Sequence, residues 1–289
     1  MPPFSIIIPA YNEEKSISPT IDNLKSFIAT NNLEAEIIAV NDGSTDKTGE
    51  ILSSISGIKI INNASNKGYG ASLKNGVKNS KHDWVLFYDA DGQHNTDSIL
   101  EILKETASAD MIVGKREGYK GPAARQPGKK VLKFVAEYLT GQKILDINSG
   151  LRLVKKEYFN QFVHLLPNGF SLSTTITMSF LSAVLNITYI PIKISERTGG
   201  KSAVKQVRHG SHTLLLIFRI IMLFNPLKIF FPISAVMAIL TLLFLIWDII
   251  AFDISGTTII LFITTVFVFC FGLLADQISS IRRESRIKI

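Results

Sequence analysis

Acidic and amide side chains follow a strand-like apolar segment at a spacing that could hold a divalent cation. Asp89 and Asp91 stand two residues apart, and Gln93 adds a neutral oxygen two residues further on. Two carboxylates at this spacing can share a hard cation, and Mg²⁺ or Mn²⁺ prefers such oxygen ligands while keeping places for phosphate oxygens. The alternative is a solvated turn that bends at Gly92. We expect Asp89, Asp91 and Gln93 to form the metal site.

The elements around this motif alternate between strand and helix patterns. Short apolar segments that are typical of buried strands occupy residues 4–9, 36–40, 58–61, 84–88 and 111–113. After the first of them, apolar residues recur on one helical face at Ile17, Ile21, Leu24 and Ile28. Ser44 or Thr45 is expected to cap the next helix. The alternation predicts an α/β domain, with a mostly parallel sheet and helices on both faces.

Polar side chains follow two other predicted strands. Tyr11 and Glu13 come after the first strand, and Asp42 comes after the second. Ligands of such sheets lie beyond the carboxyl ends of the strands. We therefore expect these side chains to converge with Asp89 and Asp91 at one edge of the sheet.

The C-terminal part of the chain contains two long apolar segments, 229–247 and 257–275. As a helix, each would span about 28 Å, close to the roughly 30 Å hydrocarbon core of a bilayer. Arg219 and Lys228 precede the first segment, basic residues follow the second, and the connector 248–256 contains no Lys or Arg. The positive-inside rule then predicts a transmembrane helical hairpin with both ends in the cytoplasm. The alternative is a buried helical hairpin of a soluble protein.

These patterns predict four parts: a cytoplasmic catalytic domain at 1–210, an amphipathic interfacial helix at 211–225, two transmembrane helices at 226–276 and a basic cytoplasmic tail at 277–289. The interfacial helix has an alternative, an extension of the first span that is broken at Pro226. The protein is expected in the cell membrane as a multi-pass protein, with its catalytic domain and both termini cytoplasmic. Cys270 is the single cysteine, which excludes a disulfide within the chain.

The formal net charge of +7 suits nucleic acid, an anionic membrane surface or a phosphate-bearing substrate. The basic residues are not interleaved with aromatic residues, and no pattern of a nucleic-acid-binding fold is present. We therefore expect no nucleic-acid partner. The oligomeric state is open, and a homo-oligomer is compatible with the sequence.

Four segments together resemble a known family. They are Ile-Pro-Ala-Tyr-Asn-Glu-Glu (8–14), Asn-Asp-Gly-Ser-Thr-Asp (41–46), Asn-Lys-Gly-Tyr-Gly-Ala (66–71) and Asp-Ala-Asp-Gly-Gln (89–93). In this order they resemble family 2 glycosyltransferases of the GT-A (Rossmann-like) fold, and more closely the polyprenyl-phosphate sugar synthases of the dolichol-phosphate mannose synthase type. The resemblance covers roughly residues 4 to 205.

The resemblance implies a nucleotide-sugar donor, a polyprenyl (dolichyl or undecaprenyl) phosphate acceptor at the membrane, and Mg²⁺ or Mn²⁺. The residues it implies for the donor are Pro9, Tyr11, Glu13, Asp42, Lys67, Asp89, Ala90, Asp91, Arg197 and Lys201. Lys205 is an alternative to Lys201. Those expected at the acceptor phosphate are Arg116, Arg125, Lys129, Ser149 and Arg152. The catalytic residues would be Asp89, Asp91 and Arg125.

The function expected from these features is an inverting hexosyltransferase (EC 2.4.1-type). A phosphate acceptor is already anionic near neutral pH, so it needs cations rather than a general base. Residues 169–178 carry a run of hydroxyl side chains in place of the acidic Gly-Phe-Glu-x-Glu element of the mannose synthases. GDP-mannose, UDP-glucose and UDP-N-acetylglucosamine therefore remain open as donors. The alternatives are transfer to a saccharide or other lipid acceptor and a catalytically silent membrane scaffold.

Overall fold

The structure is a computed structural model that describes residues 1–117, 126–193, 219 and 222–284. It divides into two compact units, Met1–His209 and Gly210–Ile289. The strands are β1 (Phe4–Ala10), β2 (Ala35–Asn41), β3 (Lys59–Asn62), β4 (Trp84–Phe87), β5 (Met111–Arg116), β6 (Arg152–Lys155) and β7 (Ile187–Ile192). The helices of the first unit are α1 (Ile17–Thr30), α2 (Thr48–Ser54), α3 (Tyr69–Lys78), α4 (Asp97–Lys104), α5 (Gln126–Thr140), α6 (Lys156–Phe162) and α7 (Leu172–Ser182). Those of the second unit are α8 (Leu227–Ala251) and α9 (Gly256–Glu284).

The described strands form one seven-stranded sheet in the order β3-β2-β1-β4-β6-β5-β7. β1 pairs in parallel with β2 and β4, and β5 pairs in parallel with β7. The mostly parallel sheet predicted from the sequence is confirmed. β6 is the exception, because it runs antiparallel to both β4 and β5. Its reversed direction brings the residues just before β6 to the edge of the sheet where β4 ends.

β1 is buried along its whole length because helices cover both faces of the sheet. Phe4, Ile6 and Ile8 belong to the same core cluster as residues of α1 and α4. Ile7 lies between Ile6 and Ile8 in β1 and points to the other face of the sheet, toward α3. Gly76 allows this helix to approach Ile7 closely. A Cβ at Gly76 would lie 2.3 Å from Cγ2 of Ile7.

The predicted start of α2 is wrong. The helix begins at Thr48. The first backbone N–H of the helix, that of Thr48, donates to Asp46 at 2.9 Å and not to Ser44 or Thr45. Ser44 and Thr45 instead bind the loop after β1, where both make hydrogen bonds to Asn12. A tertiary contact therefore replaces the local cap that the sequence suggested.

The second unit contains two helices that are long and apolar enough to cross a membrane. Their most apolar segments have mean hydropathies of 2.7 and 2.6, and only 11% and 17% of these segments are buried. A core helix of a soluble protein would be mostly buried, so the exposure favours the membrane hairpin over the alternative. At the turn, Asp248 accepts hydrogen bonds from the N–H and hydroxyl of Ser255 and from the hydroxyl of Thr258.

The predicted four-part division stays a prediction in its detail. Most of the proposed interfacial helix at 211–225 lies outside the described residues. α9 continues to Glu284, so the predicted tail that starts at 277 is helical at its beginning. The boundary between the two compact units, after His209, lies next to the predicted domain end at 210.

We expect Gly76→Ala to lower the free energy of unfolding by about 1–3 kcal/mol, because the new methyl group overlaps the stiff β-branched side chain of Ile7. This cost exceeds the roughly 0.5–1 kcal/mol that alanine gains in helix propensity. Urea unfolding of the full chain in detergent, followed by the fluorescence of Trp84 in a Trp247→Phe background, measures the change. Lys78→Ala, an exposed position on the same helix, is the control and should change stability by less than about 0.5 kcal/mol. Equal stability of Gly76→Ala and the parent would contradict the packing described.

Candidate active site

The loops that follow β1 and β2 form one hydrogen-bonded layer at the edge of the sheet. Asn12 adopts a left-handed backbone conformation (φ 56°), and its Oδ1 accepts the N–H of Thr45 at 2.8 Å. The N–H of Glu13 donates to Oγ1 of Thr48 at 2.8 Å. This layer leaves Tyr11 37% exposed, directly beyond the end of β1. Tyr11 and Glu13 thus lie just beyond the carboxyl end of β1, and their contacts with a ligand stay predictions.

Asp46 accepts hydrogen bonds from both loops of this layer. Its Oδ1 accepts the N–H of Thr48 at 2.9 Å, and its Oδ2 accepts the N–H of Glu14 at 3.2 Å. Burial raises the pKa of Asp46, but the hydrogen bonds from Thr48 and Glu14 outweigh it and hold the pKa below its usual value. The ionised carboxylate therefore ties the two loops together.

Asp42 is only 3% exposed, and its carboxylate is used within the protein. Oδ1 accepts from the side-chain amide of Asn63 at 2.7 Å and from the N–H of Lys67 at 3.0 Å, while Oδ2 accepts from the N–H of Gly68 at 2.8 Å. Asp42 therefore shapes the turn into α3 and leaves the Lys67 side chain exposed beside it. Pro9 is buried within β1.

Asp89 follows β4, and its carboxylate is held from three sides. Oδ1 accepts a hydrogen bond from the Tyr69 hydroxyl at 2.9 Å, and Oδ2 lies 3.5 Å from Nε2 of His94. The third side is Gly150, where an added Cβ would lie 2.2 Å from Oδ2. Burial raises the pKa of Asp89, but the hydrogen bond and electrostatic attraction of His94, with Tyr69 and Arg116, outweigh it and hold the pKa below its usual value. The side chain remains 29% exposed, so an ionised carboxylate faces the open edge of the sheet.

The segment after Asp89 is a tight turn. Oδ1 of Asp91 accepts the N–H of Gln93 at 3.1 Å, and Gly92 has the positive φ of 70° that the bend requires. The carbonyl of Ala90 accepts the hydroxyl of Thr20 at 3.3 Å, which attaches the turn to α1. The turn that the sequence offered as the alternative is thus present, and Asp91 and Gln93 both belong to it.

Within the described residues, no three His, Cys, Asp or Glu side chains converge as a complete metal cage. Mg²⁺ and Mn²⁺ do not need one when phosphate oxygens and water complete the coordination shell. The carboxylates of Asp89 and Asp91, with the amide oxygen of Gln93, fit an ion that is bound together with a diphosphate. Tyr69, His94 and Gly150 orient the oxygens of Asp89.

Arg116 forms a bidentate ion pair with Asp146. Its Nε donates to Oδ2 at 2.8 Å and its Nη2 donates to Oδ1 at 2.9 Å, with the two side chains 19% and 13% exposed. Burial raises the pKa of Asp146, but the hydrogen bonds and charge of Arg116 outweigh it and hold the pKa below its usual value. An acceptor phosphate would therefore share Arg116 with Asp146.

Ser149 and Arg152 are both completely buried. The Arg152 guanidinium donates to the carbonyl oxygens of Ser149 and Ser173 and to the hydroxyl of Thr177. The arrangement does not support the predicted direct contact of Ser149 and Arg152 with an acceptor phosphate, because neither side chain reaches the surface.

Arg125, Arg197, Lys201 and Lys205 lie outside the described residues, as does the side chain of Lys129. Their expected contacts with donor and acceptor stay predictions.

Sequence reasoning did not select Tyr69, His94 or Asp146. Tyr69 lies in the Asn-Lys-Gly-Tyr-Gly-Ala segment and His94 directly follows Gln93, so both stood beside residues already singled out. Asp146 lies 30 residues from Arg116, and no local pattern signals their pairing. Only the fold brings these groups together.

Two family models match the chain. Residues 5–162 match glycosyl transferase family 2, and residues 225–281 match the GtrB C-terminal hairpin. Among curated relatives, a dolichyl-phosphate beta-glucosyltransferase of Trichomonas vaginalis is 34% identical over 44% of this chain and 43% of its own length. A UDP-N-acetylglucosamine–dolichyl-phosphate N-acetylglucosaminyltransferase of Methanococcus voltae is 31% identical over 52% of this chain and 68% of its own length.

The fold is also found among solved structures. Glucosyl-3-phosphoglycerate synthase of Mycobacterium tuberculosis, in complex with Mn²⁺, UDP and phosphoglyceric acid, aligns with a TM-score of 0.60 at 17% identity. The alignment covers 76% of this chain and 78% of that one. At this identity the likeness supports the GT-A fold alone. The hairpin match agrees with the two apolar helices and indicates a membrane protein.

We expect Asp146→Asn to lower the free energy of unfolding by about 1.5–3 kcal/mol at pH 7, because it removes the carboxylate from the bidentate, largely buried ion pair with Arg116. Because the folded pKa of Asp146 lies below the usual 3.8, its contribution is complete above that value and is lost as the pH falls through the folded pKa. The difference between variant and parent should therefore be constant down to about pH 4 and shrink as the pH falls further, through the folded pKa of Asp146. Urea unfolding at a series of pH values measures it.

Glu101→Gln, which breaks the exposed pair with Lys104, is the control and should cost less than about 1 kcal/mol. An Asp146→Asn effect that is the same at both ends of the pH series would contradict the ion-pair explanation.

Proposed function

We propose that this chain, which belongs to glycosyl transferase family 2, transfers a hexose with inversion from a nucleotide-sugar to a polyprenyl phosphate at the cytoplasmic face of a membrane. The observation that carries the proposal is Asp89, an ionised carboxylate fixed at the end of β4 with one face open. Relatives named for dolichyl phosphate and undecaprenyl phosphate acceptors support the acceptor class. The C-terminal hairpin supports it as well, because it would keep the enzyme beside a lipid substrate.

On the donor side, Asp89, Asp91 and Gln93 would hold Mg²⁺ or Mn²⁺. The ion, when bound, supplies Lewis-acid stabilisation of the negative charge that develops on the departing diphosphate. Tyr11 and Glu13 lie beyond the end of β1, where they would contact the nucleotide. Asp42 would act indirectly, by setting the backbone of the turn into α3.

On the acceptor side, a phosphate oxygen attacks the anomeric carbon, and the bond from that carbon to the diphosphate oxygen breaks. One direct displacement inverts the anomeric configuration. The acceptor is already anionic at neutral pH, so the protein must offset charge repulsion rather than remove a proton. Arg116 would supply part of that positive charge, and its pairing with Asp146 fixes the guanidinium in orientation. Arg125, Lys129, Arg197 and Lys201 stay predicted contributors.

The orientation of the hairpin is part of the proposal. Arg219 and Lys228 precede α8, the tail after α9 is basic, and the connector between the two helices contains no Lys or Arg. The positive-inside rule then favours a cytoplasmic location for both ends and for the catalytic domain. The oligomeric state remains open, homo-oligomers included.

We expect the full chain in mixed micelles with polyprenyl phosphate to transfer label from a radiolabelled nucleotide-sugar into an organic-extractable lipid. Asp91→Ala should lower the transfer rate at least about 100-fold, since a metal ligand that stabilises the leaving group supplies several kcal/mol. The rate of label extraction, with and without excess chelator, measures both effects.

Asp97→Asn, an exposed carboxylate at the start of α4, is the matched control and should leave transfer unchanged. Transfer that persists in excess chelator would contradict the metal role. Label that appears in a water-soluble saccharide instead of the lipid would favour the alternative acceptor class.

We expect one nucleotide class to stabilise the protein in a thermal-shift panel of GDP, UDP and their sugars with Mn²⁺. A ligand at 100 times its dissociation constant adds about 2.7 kcal/mol, which shifts the unfolding temperature by several degrees. Tyr11→Ala should reduce the shift for the nucleotide without metal, while Asp91→Ala should reduce the part that depends on Mn²⁺. Binding without turnover on any lipid phosphate would favour a catalytically silent scaffold.

A further inference from the structure

The buried guanidinium of Arg152 is not used by the proposed function. It lies at the start of β6 with none of its surface exposed. Nε and Nη2 both donate to the carbonyl oxygen of Ser149, at 3.1 and 2.6 Å. Nη1 donates to the carbonyl of Ser173 at 3.0 Å and to the hydroxyl of Thr177 at 3.1 Å. Among the ion pairs of the described residues, none includes Arg152.

This cation lies among neutral partners where the sequence departs from the acidic pattern noted above. Ser173 and Thr177 belong to the hydroxyl run at 169–178 and lie on α7, where both accept hydrogen bonds from Arg152. A buried guanidinium without a carboxylate is costly, and an apolar side chain of similar volume would fill the position at less cost. Stability therefore gives little reason for an arginine here, whereas the two hydrogen bonds to a single carbonyl point to a positioning role.

The sheet register shows what that carbonyl positions. Arg152 on β6 pairs with Phe87 on β4, and the two strands are antiparallel. In an antiparallel pair, the residue two positions before Arg152 lies opposite the residue two positions after Phe87. Gly150 therefore lies beside Asp89. The contact is close, because a Cβ on Gly150 would lie 2.2 Å from Oδ2 of Asp89.

We propose that Arg152 is a positioning residue for Asp89: by holding the Ser149 carbonyl, it fixes Gly150 as the wall against which the Asp89 carboxylate rests. Tyr69 and His94 define the other two sides of that carboxylate. The inference rests on the proposed metal role of Asp89. Groups that hydrogen-bond directly to a metal ligand typically change metal affinity by about 10- to 100-fold when they are removed. Arg152 acts through Ser149 and Gly150, so the lower end of that range applies.

The test measures Mn²⁺ binding by the loss of the free-ion electron paramagnetic resonance signal, with the full chain in detergent and either UDP or GDP present. We expect Arg152→Gln to weaken Mn²⁺ binding about 10-fold or more. Arg152→Lys, which keeps the charge and one donor toward Ser149, should fall between this variant and the parent. Val154→Ala, a fully buried change on the same strand, is the control for general destabilisation and should leave the affinity unchanged.

The outcomes separate the two proposals. If Asp89→Asn binds Mn²⁺ as tightly as the parent does, the metal role of Asp89 is overturned, and the positioning role of Arg152 with it. Binding that depends on Asp89 but survives Arg152→Gln overturns only the positioning, as does an equal loss in Val154→Ala. If Arg152→Gln does not fold, Arg152→Lys decides, since an affinity equal to that of the parent overturns the inference and a weaker one supports it.

Discussion

The carboxylate of Asp89 is the group on which the arrangement of the candidate site depends. It must stay ionised in a mostly enclosed position, and enclosure alone would favour its neutral form. The Tyr69 hydroxyl and the His94 imidazole reverse that preference, and Gly150 supplies a wall without a side chain. Each of these groups comes from a different segment, so the chemistry of one carboxylate constrains α3, the loop after β4 and the start of β6 at once.

The loops after β1 and β2 show a second use of carboxylates, in which the charge serves structure rather than ligand binding. The carboxylate oxygens of Asp42 and Asp46 accept hydrogen bonds from backbone N–H groups of neighbouring turns. Such charge-assisted hydrogen bonds are about twice as strong as neutral ones and hold irregular backbone in place. Tyr11 in this layer and Lys67 in the turn into α3 keep exposed side chains that can meet a ligand. Acidic residues at the strand ends thus divide into those with a partly exposed carboxylate, such as Asp89, and those whose carboxylate holds the backbone, such as Asp42.

In the C-terminal hairpin, the constraint is the pairing of polar side chains within two apolar helices. Lipid cannot satisfy polar groups, so the polar side chains within α8 and α9 must find partners in the hairpin itself. Thr241 and Thr265 approach each other across the two helices at 3.3 Å, and Asp248 is satisfied by Ser255 and Thr258 at the turn. The apolar remainder faces outward, as expected for a surface that meets hydrocarbon rather than water.

The sequence alone determined the features that depend on local pattern: the alternation of strands and helices, the apolar hairpin, and the residues that stand at the strand ends. Periodicity and composition carry these because a parallel strand or a membrane span must be apolar throughout. The tertiary structure decided which of those residues keep an exposed side chain at the edge of the sheet and which are buried. Its motif predicted that Arg152 contacts a phosphate, yet its side chain is buried and donates to the carbonyl oxygens of Ser149 and Ser173. Tyr69 and Gly150 beside Asp89, and Asp146 beside Arg116, likewise come from distant segments. Such pairings are set by the packing of the whole sheet, which no local pattern encodes.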